Sequence, residues 1–177
     1  MARIVNAKVR LQVDVGLGDA ITPAPELVDF PALLDFPAPR LRAYPRETVI
    51  AEKLEAMVQL GMANSRMKDF FDIVVLSQMF DFDGAVLAEA IRATFERRGT
   101  ALPSGLPVAL TPAFATDPTK RAQWAAFLRK SDAVVAVGDL PVVVSAAARF
   151  LGDPLEAAAA APLNARWEPG GPWRKGQ

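Results

Sequence analysis

Residues 44–56 read Tyr44-Pro45-Arg46-Glu47-Thr48-Val49-Ile50-Ala51-Glu52-Lys53-Leu54-Glu55-Ala56, and residues 64–72 read Asn64-Ser65-Arg66-Met67-Lys68-Asp69-Phe70-Phe71-Asp72. Both stretches predict helices. From Glu47 to Leu60, Val49, Ile50, Leu54, Met57 and Val58 recur at helical spacing and form one apolar stripe, opposite Glu52, Glu55 and Gln59. Gly61 is a stop signal. Asn64 or Ser65 then caps a second helix that reaches about Met79. Its middle is so apolar, from Phe70 to Leu76, that most of it is expected to be buried.

Upstream, residues 8–15 alternate, with Val9, Leu11, Val13 and Val15 on one side and Lys8, Arg10, Gln12 and Asp14 on the other. That is the pattern of a half-buried strand. Residues 20–40 carry Pro23, Pro25, Pro31, Pro37 and Pro39 and read as a surface loop. Leu41 to Tyr44 reads as a short second strand. Downstream, a third helix is expected from about Ala85 to Arg98, ended by Gly99. A Pro-containing loop follows over 100–116, then a helix begun by Asp117-Pro118 and running to Lys130. A last helix starts near Pro141 and reaches Leu151, with a continuation toward Ala161. The segment from Pro162 reads as a mobile tail. The division is thus 1–45, sheet and Pro-rich loop; 46–161, helical domain; and 162–177, flexible tail. Strands precede helices, so the class is α+β, with an incomplete sheet of one or two strands ahead of a helical bundle. Such a sheet is too small to stand alone.

Composition narrows the chemistry. The 177 residues contain no His and no Cys. Thiol nucleophiles, zinc clusters and His-based triads are excluded. A metal would need oxygen ligands, as magnesium prefers. A general base would be a carboxylate or a lysine. Basic and acidic residues number 20 each, so bulk charge gives no nucleic-acid signature. No apolar run approaches a membrane span of roughly 20 residues, and the start lacks a signal-peptide core. A cytoplasmic protein with no membrane partner is expected.

Three candidates for chemistry stand out. On a wheel with Ile50 at zero, Lys53 falls at about 300°, inside the apolar stripe between Met57 and Val49. Either it snorkels to water or its ammonium is aimed at a phosphate. Asp69 and Asp72 share one face of the second helix. Either they complement the macrodipole and face water, or they meet something specific. Asp14, on the polar side of the first strand, is solvated or holds a metal. Ser65-Arg66-Met67-Lys68 matches S-x-x-K, but its companion motifs are missing. Gly16-Leu17-Gly18 lacks the third glycine of a dinucleotide fingerprint, since position 21 is Ile21. Asp81-Phe82-Asp83-Gly84 lacks the spaced acids of a calcium loop.

The strand with Asp14, the E-K-x-x-A of Glu52 to Ala56 and the R-x-K-D-x-x-D of Arg66 to Asp72, in that order, resemble the nucleotidyltransferase AbiEii/AbiGii toxin family. The resemblance covers roughly residues 7–160. It implies a fold like the DNA polymerase β-type nucleotidyltransferases and Mg2+-dependent transfer of a nucleoside monophosphate from an NTP. By the resemblance Asp14 is the third metal carboxylate, and Asp14, Lys53 and Asp69 are catalytic. Lys53, Arg66, Lys68, Asp69 and Asp72 bind the nucleotide. It also implies an RNA (tRNA) or protein acceptor and an antitoxin partner. One departure is large. The family's glycine turn with its paired carboxylates should precede Asp14, yet the thirteen residues before Asp14 contain neither Gly nor an acid. The sequence therefore reads as the C-terminal part of such an enzyme, from a truncated gene, a late start or a split protein, inactive alone. The alternative is a non-catalytic helical module that binds an antitoxin or a missing N-terminal half through an open strand edge.

Overall fold

The computed structural model describes residues 2–4, 7–10, 18, 20–32, 34–131 and 135–176. Asp14 and most of the predicted strand over 8–15 lie outside the described residues. The described start is a small antiparallel ribbon, β1 (Ala2–Ile4) with β2 (Ala7–Val9). The α+β class holds, and the helices carry the core.

The Pro-rich stretch is not all loop. Glu26-Leu27-Val28-Asp29 forms β3 (Glu26–Asp29), which pairs antiparallel with β4 (Arg40–Ala43), so that Leu27 faces Arg42 and Val28 faces Leu41. The prolines sit on either side of β3 and cost it no donor. The hairpin leans little on the core: Leu27 is 60% exposed and Phe36 71%.

The predicted helices appear close to their expected bounds. They are α1 (Arg46–Leu60), α2 (Met67–Met79) and α3 (Gly84–Arg98). α3 opens on an Asp83 side chain that accepts from the Ala85 and Val86 amides. It closes on Gly99 at φ +65°, in the left-handed region that glycine adopts without strain. The expected loop over 100–116 contains a 3-10 turn at Val108–Leu110 and the short α4 (Pro112–Thr116), which buries Phe114. Pro112 begins α4, where a missing N–H costs nothing. α5 (Pro118–Lys130) follows, capped by Asp117 accepting from the Lys120 amide at 3.0 Å. α6 (Leu140–Ala159) runs unbroken through Pro154. It lies at the centre, with Val143, Ala147, Phe150 and Leu151 fully or almost fully buried against α2, α3 and α4.

The end of the chain corrects the expectation of a mobile tail. β6 (Ala165–Trp167) and β7 (Trp173–Lys175) form a hairpin, and β6 pairs with β5 (Phe82–Asp83). Two tryptophans dock it. Pro154 has no N–H to give to the carbonyl of Phe150 four residues back; Trp173 Nε1 donates to that oxygen instead, at 2.9 Å. The Ser77 carbonyl, in the last turn of α2 and without a helical partner, accepts from Trp167 Nε1 at 2.7 Å. Phe150 stacks on Trp173 at 5.8 Å and meets Trp167 edge-on at 4.9 Å. Gly171, at φ +72°, leaves room for the Trp167 ring, which a Cβ would strike at about 2.3 Å. The hairpin is therefore part of the core.

Trp167→Ala should lower unfolding stability by about 3–5 kcal/mol, the cost of truncating a buried aromatic. Urea denaturation followed by circular dichroism measures it, and a loss below about 1 kcal/mol would return these residues to the status of a tail.

Candidate functional site

α1 and α2 meet through charge. The Lys53 ammonium sits between two carboxylates, 2.8 Å from Asp69 Oδ1 and 2.8 Å from Asp72 Oδ2. The i, i+3 spacing puts both acids on the face of α2 that turns toward α1. All three side chains are largely buried, Lys53 at 17% exposure, Asp69 at 10% and Asp72 at 20%. Lys53 thus occupies the apolar edge of α1 without snorkelling to water, and Asp69 and Asp72 do not simply face solvent.

The flanking cations lie further out. Arg66 Nε is 3.3 Å from Asp69 Oδ2. Lys68 Nζ reaches both oxygens of Asp72, at 2.6 and 2.9 Å. Both are mostly exposed. The entry to α2 is set by Asn64, whose Oδ1 accepts from the Arg66 amide at 2.8 Å and fixes the turn before the helix. The structure therefore brings together Lys53, Arg66, Lys68, Asp69 and Asp72. Asp14 alone of the sequence candidates lies outside the described residues.

A cavity of about 180 Å3 opens on this cluster, lined by Val49, Glu52, Lys53, Arg66, Asp69 and Arg98. Its far wall was not anticipated from sequence. Arg98 ends α3 and bonds Glu55 Oε2 at 2.7 Å, with Glu52 at 3.8 Å. Thr100 adds a hydroxyl to Glu55 Oε1 at 2.5 Å. The signal was present in the i, i+3 pair Glu52 and Glu55 and in the basic last turn of α3, but nothing local says that those two helices touch. The charges balance: Lys53, Arg66, Lys68 and Arg98 face Glu52, Glu55, Asp69 and Asp72.

Burial is the largest influence on the Lys53 ammonium and works against its charge. The hydrogen bonds to Asp69 and Asp72, with the charges of both, together outweigh it and hold the pKa above the ordinary 10.5. An ammonium has three donors. Two go to Asp69 and Asp72, and the third has no protein acceptor among the described residues, although Lys53 lines the cavity. Asp69 Oδ2 is buried in the same cavity and accepts no hydrogen bond.

The described residues do not by themselves make a metal site. Among the described residues no group of three or more acids could hold a metal ion. Asp69 and Asp72 already turn oxygens to Lys53, and one remaining carboxylate oxygen flanked by Arg66 is not a magnesium site.

The loop after the undescribed stretch is pinned beside this site. Arg97 Nε donates to the Gly18 carbonyl. The Thr48 hydroxyl, in the first turn of α1, donates to the Thr22 carbonyl at 2.8 Å and accepts from the Thr22 amide at 3.1 Å.

Residues 2–139 match the family model for the nucleotidyl transferase AbiEii toxin of type IV toxin–antitoxin systems. No curated protein and no solved structure matches the chain. With most of its length matched, the chain belongs to the AbiEii nucleotidyl transferase toxin family. No helix among the described residues is long and apolar enough to cross a membrane.

Two outcomes follow from the buried ammonium. Asp69→Ala should destabilise the fold by about 2–4 kcal/mol, because it leaves a largely buried cation with one carboxylate fewer; thermal unfolding at neutral pH measures it. Lys53 has a folded pKa above its unfolded one, so its contribution is fully present below the unfolded value. It is lost as pH rises through the raised value. The stability gap between wild type and Lys53→Met should therefore hold from about pH 8 to about pH 10 and narrow above that. A gap that stays constant to about pH 11.5 contradicts the pairing.

Proposed function

We propose, from membership of the AbiEii family, that this site grips the phosphates of a nucleoside triphosphate during nucleotidyl transfer. The reaction joins an acceptor hydroxyl oxygen to the α-phosphorus and breaks the bond from that phosphorus to the bridging oxygen. Pyrophosphate leaves, and the hydroxyl proton passes to solvent. Charge builds on the departing pyrophosphate, and fixed cations stabilise it. The observation that carries the reading is the Lys53 ammonium, held at the cavity by Asp69 and Asp72, with a third donor that meets no acceptor among the described residues.

On this reading Lys53 donates to a β- or γ-phosphate oxygen. Arg66, which lines the cavity, turns donors toward the same phosphates, and Lys68, exposed and held to Asp72, adds positive charge nearby. Asp69 and Asp72 are positioning residues that keep the ammonium charged and aimed, which narrows the catalytic role the sequence suggested for Asp69. Magnesium belongs to the proposal through the family's chemistry and through Asp14. The described residues do not make its ligand set. The antitoxin remains the proposed protein partner.

Isothermal titration with a nucleoside triphosphate and magnesium is the test. Lys53→Ala should weaken binding at least about tenfold, the loss expected of a charge-assisted hydrogen bond of roughly 1.5–3 kcal/mol. Lys68→Ala, at an exposed position, should weaken it less. Equal affinity in wild type and Lys53→Ala overturns the assignment.

The second reading is a module that works by binding a protein partner. It is favoured by the apolar side chains that the β3–β4 hairpin exposes, Leu27, Phe30 and Leu41 among them. A well-folded chain that binds no nucleotide, stays monomeric at high concentration and co-purifies with no second protein from its own cells would leave neither reading standing.

A further inference from the structure

Lys120, in the first turn of α5, is 6% exposed, and no other lysine or arginine among the described residues is as deeply buried. Unlike Lys53, it has no carboxylate within ion-pairing distance among the described residues. Its ammonium donates to the Asn64 carbonyl at 2.9 Å and to Gln123 Oε1 at 3.5 Å, and it lies 5.4 Å from the centre of the Phe114 ring. Neutral amide oxygens and a ring face return only part of what a desolvated ammonium loses. A methionine would fill much of the same space with no charge to desolvate. The fold alone gives little reason for a cation here, and what distinguishes Lys120 is the carbonyl it holds.

That carbonyl belongs to the turn ahead of α2. Asn64 is fully buried, and three hydrogen bonds pin it. Its amide donates to the Gly61 carbonyl at 3.2 Å, its Oδ1 accepts from the Arg66 amide, and its carbonyl takes the Lys120 ammonium. The first two are local to the turn. Lys120 supplies the bond that comes from elsewhere in the chain, 56 residues on. Arg66 is the residue at which α2 begins, at φ −81° and ψ 67°, and its side chain makes no capping bond to the helix. Serine, threonine, aspartate and asparagine hold a helix start by their own side chains. An arginine in that place depends on the turn before it.

The same arginine reaches the site. Arg66 lines the 180 Å3 cavity that contains Lys53, and its Nε lies 3.3 Å from Asp69 Oδ2. Its side chain is mostly exposed, so packing does little to hold the guanidinium, and its direction follows from the backbone at position 66. We infer that Lys120 is a positioning residue for the cavity: by gripping the Asn64 carbonyl it fixes the turn from which Arg66 reaches the phosphates of the bound nucleotide. This rests on the transfer reading, and it adds to that reading a residue of α5 that does not itself line the cavity.

The test is a double-mutant cycle in the full chain, with binding of a nucleoside triphosphate and magnesium read by isothermal titration. Lys120→Met should weaken binding several-fold in wild type and by nothing further in Arg66→Ala, where the side chain it positions is already gone. Lys120→Gln, which keeps a donor for the Asn64 carbonyl, should fall between wild type and Lys120→Met. A second readout needs no nucleotide. In 15N NMR the Arg66 Nε resonance should move in Lys120→Met, while that of Arg98, on the far wall of the cavity, stays in place. An equal loss on both backgrounds, no loss on either, or an unmoved Arg66 resonance overturns the inference. So does loss of the fold in both Lys120 variants, which makes the contact purely structural. If wild type binds no triphosphate and the Arg66 resonance still moves, the transfer reading fails and the hold of Lys120 on Arg66 stands.

Discussion

One ammonium between two carboxylates fixes how the first two helices lie. Lys53 cannot leave the apolar edge of α1 without uncovering Ile50 and Met57, and Asp69 and Asp72 cannot face water without turning Phe70 and Ile73 out of the core. Each charge is expensive to bury alone. Together they satisfy one another at 2.8 Å, so only a narrow range of crossings between α1 and α2 is tolerable. The Asn64 turn leads into α2 beside that crossing, and Arg98 at the end of α3 ties the other helix packed on α1 to Glu52 and Glu55.

An ion pair like this stabilises less than its Coulomb energy suggests, since desolvation offsets most of the gain. A pair of leucines would hold two helices as well. What the charged arrangement adds is a cation held on helical elements with a donor that no described residue accepts, which is what the proposed stabilisation of an oxyanion would use. The same contacts therefore serve the fold and the proposed chemistry.

Much of this was legible in sequence, because helices announce themselves by period. The stripe of α1 placed Lys53 at its edge, and the spacing of Asp69 and Asp72 gave their shared face. What sequence could not supply was the meeting of the two, since a wheel describes one helix at a time. Short strands were the other gap. β3 is four residues inside a run of prolines, and β6 is three residues, too few for alternation to show. The closing hairpin still had a signal: Trp167-Glu168-Pro169-Gly170-Gly171-Pro172-Trp173 sets two large aromatics on either side of a turn. Its Pro and Gly content suggested a tail, whereas the tryptophans docked it on the carbonyls of Phe150 and Ser77. Lys120 was hidden for a similar reason, as only the packing of α5 on Asn64 buries it.

The account turns on the third donor of Lys53, and side-chain 15N NMR of the lysine ammonium groups observes it directly. On titration with a nucleoside triphosphate, the account predicts that the Lys53 Nζ resonance shifts while its couplings to Asp69 and Asp72 persist. A titration that moves Lys68 and Lys130 and leaves Lys53 unchanged would make the clamp a purely structural contact and contradict the site.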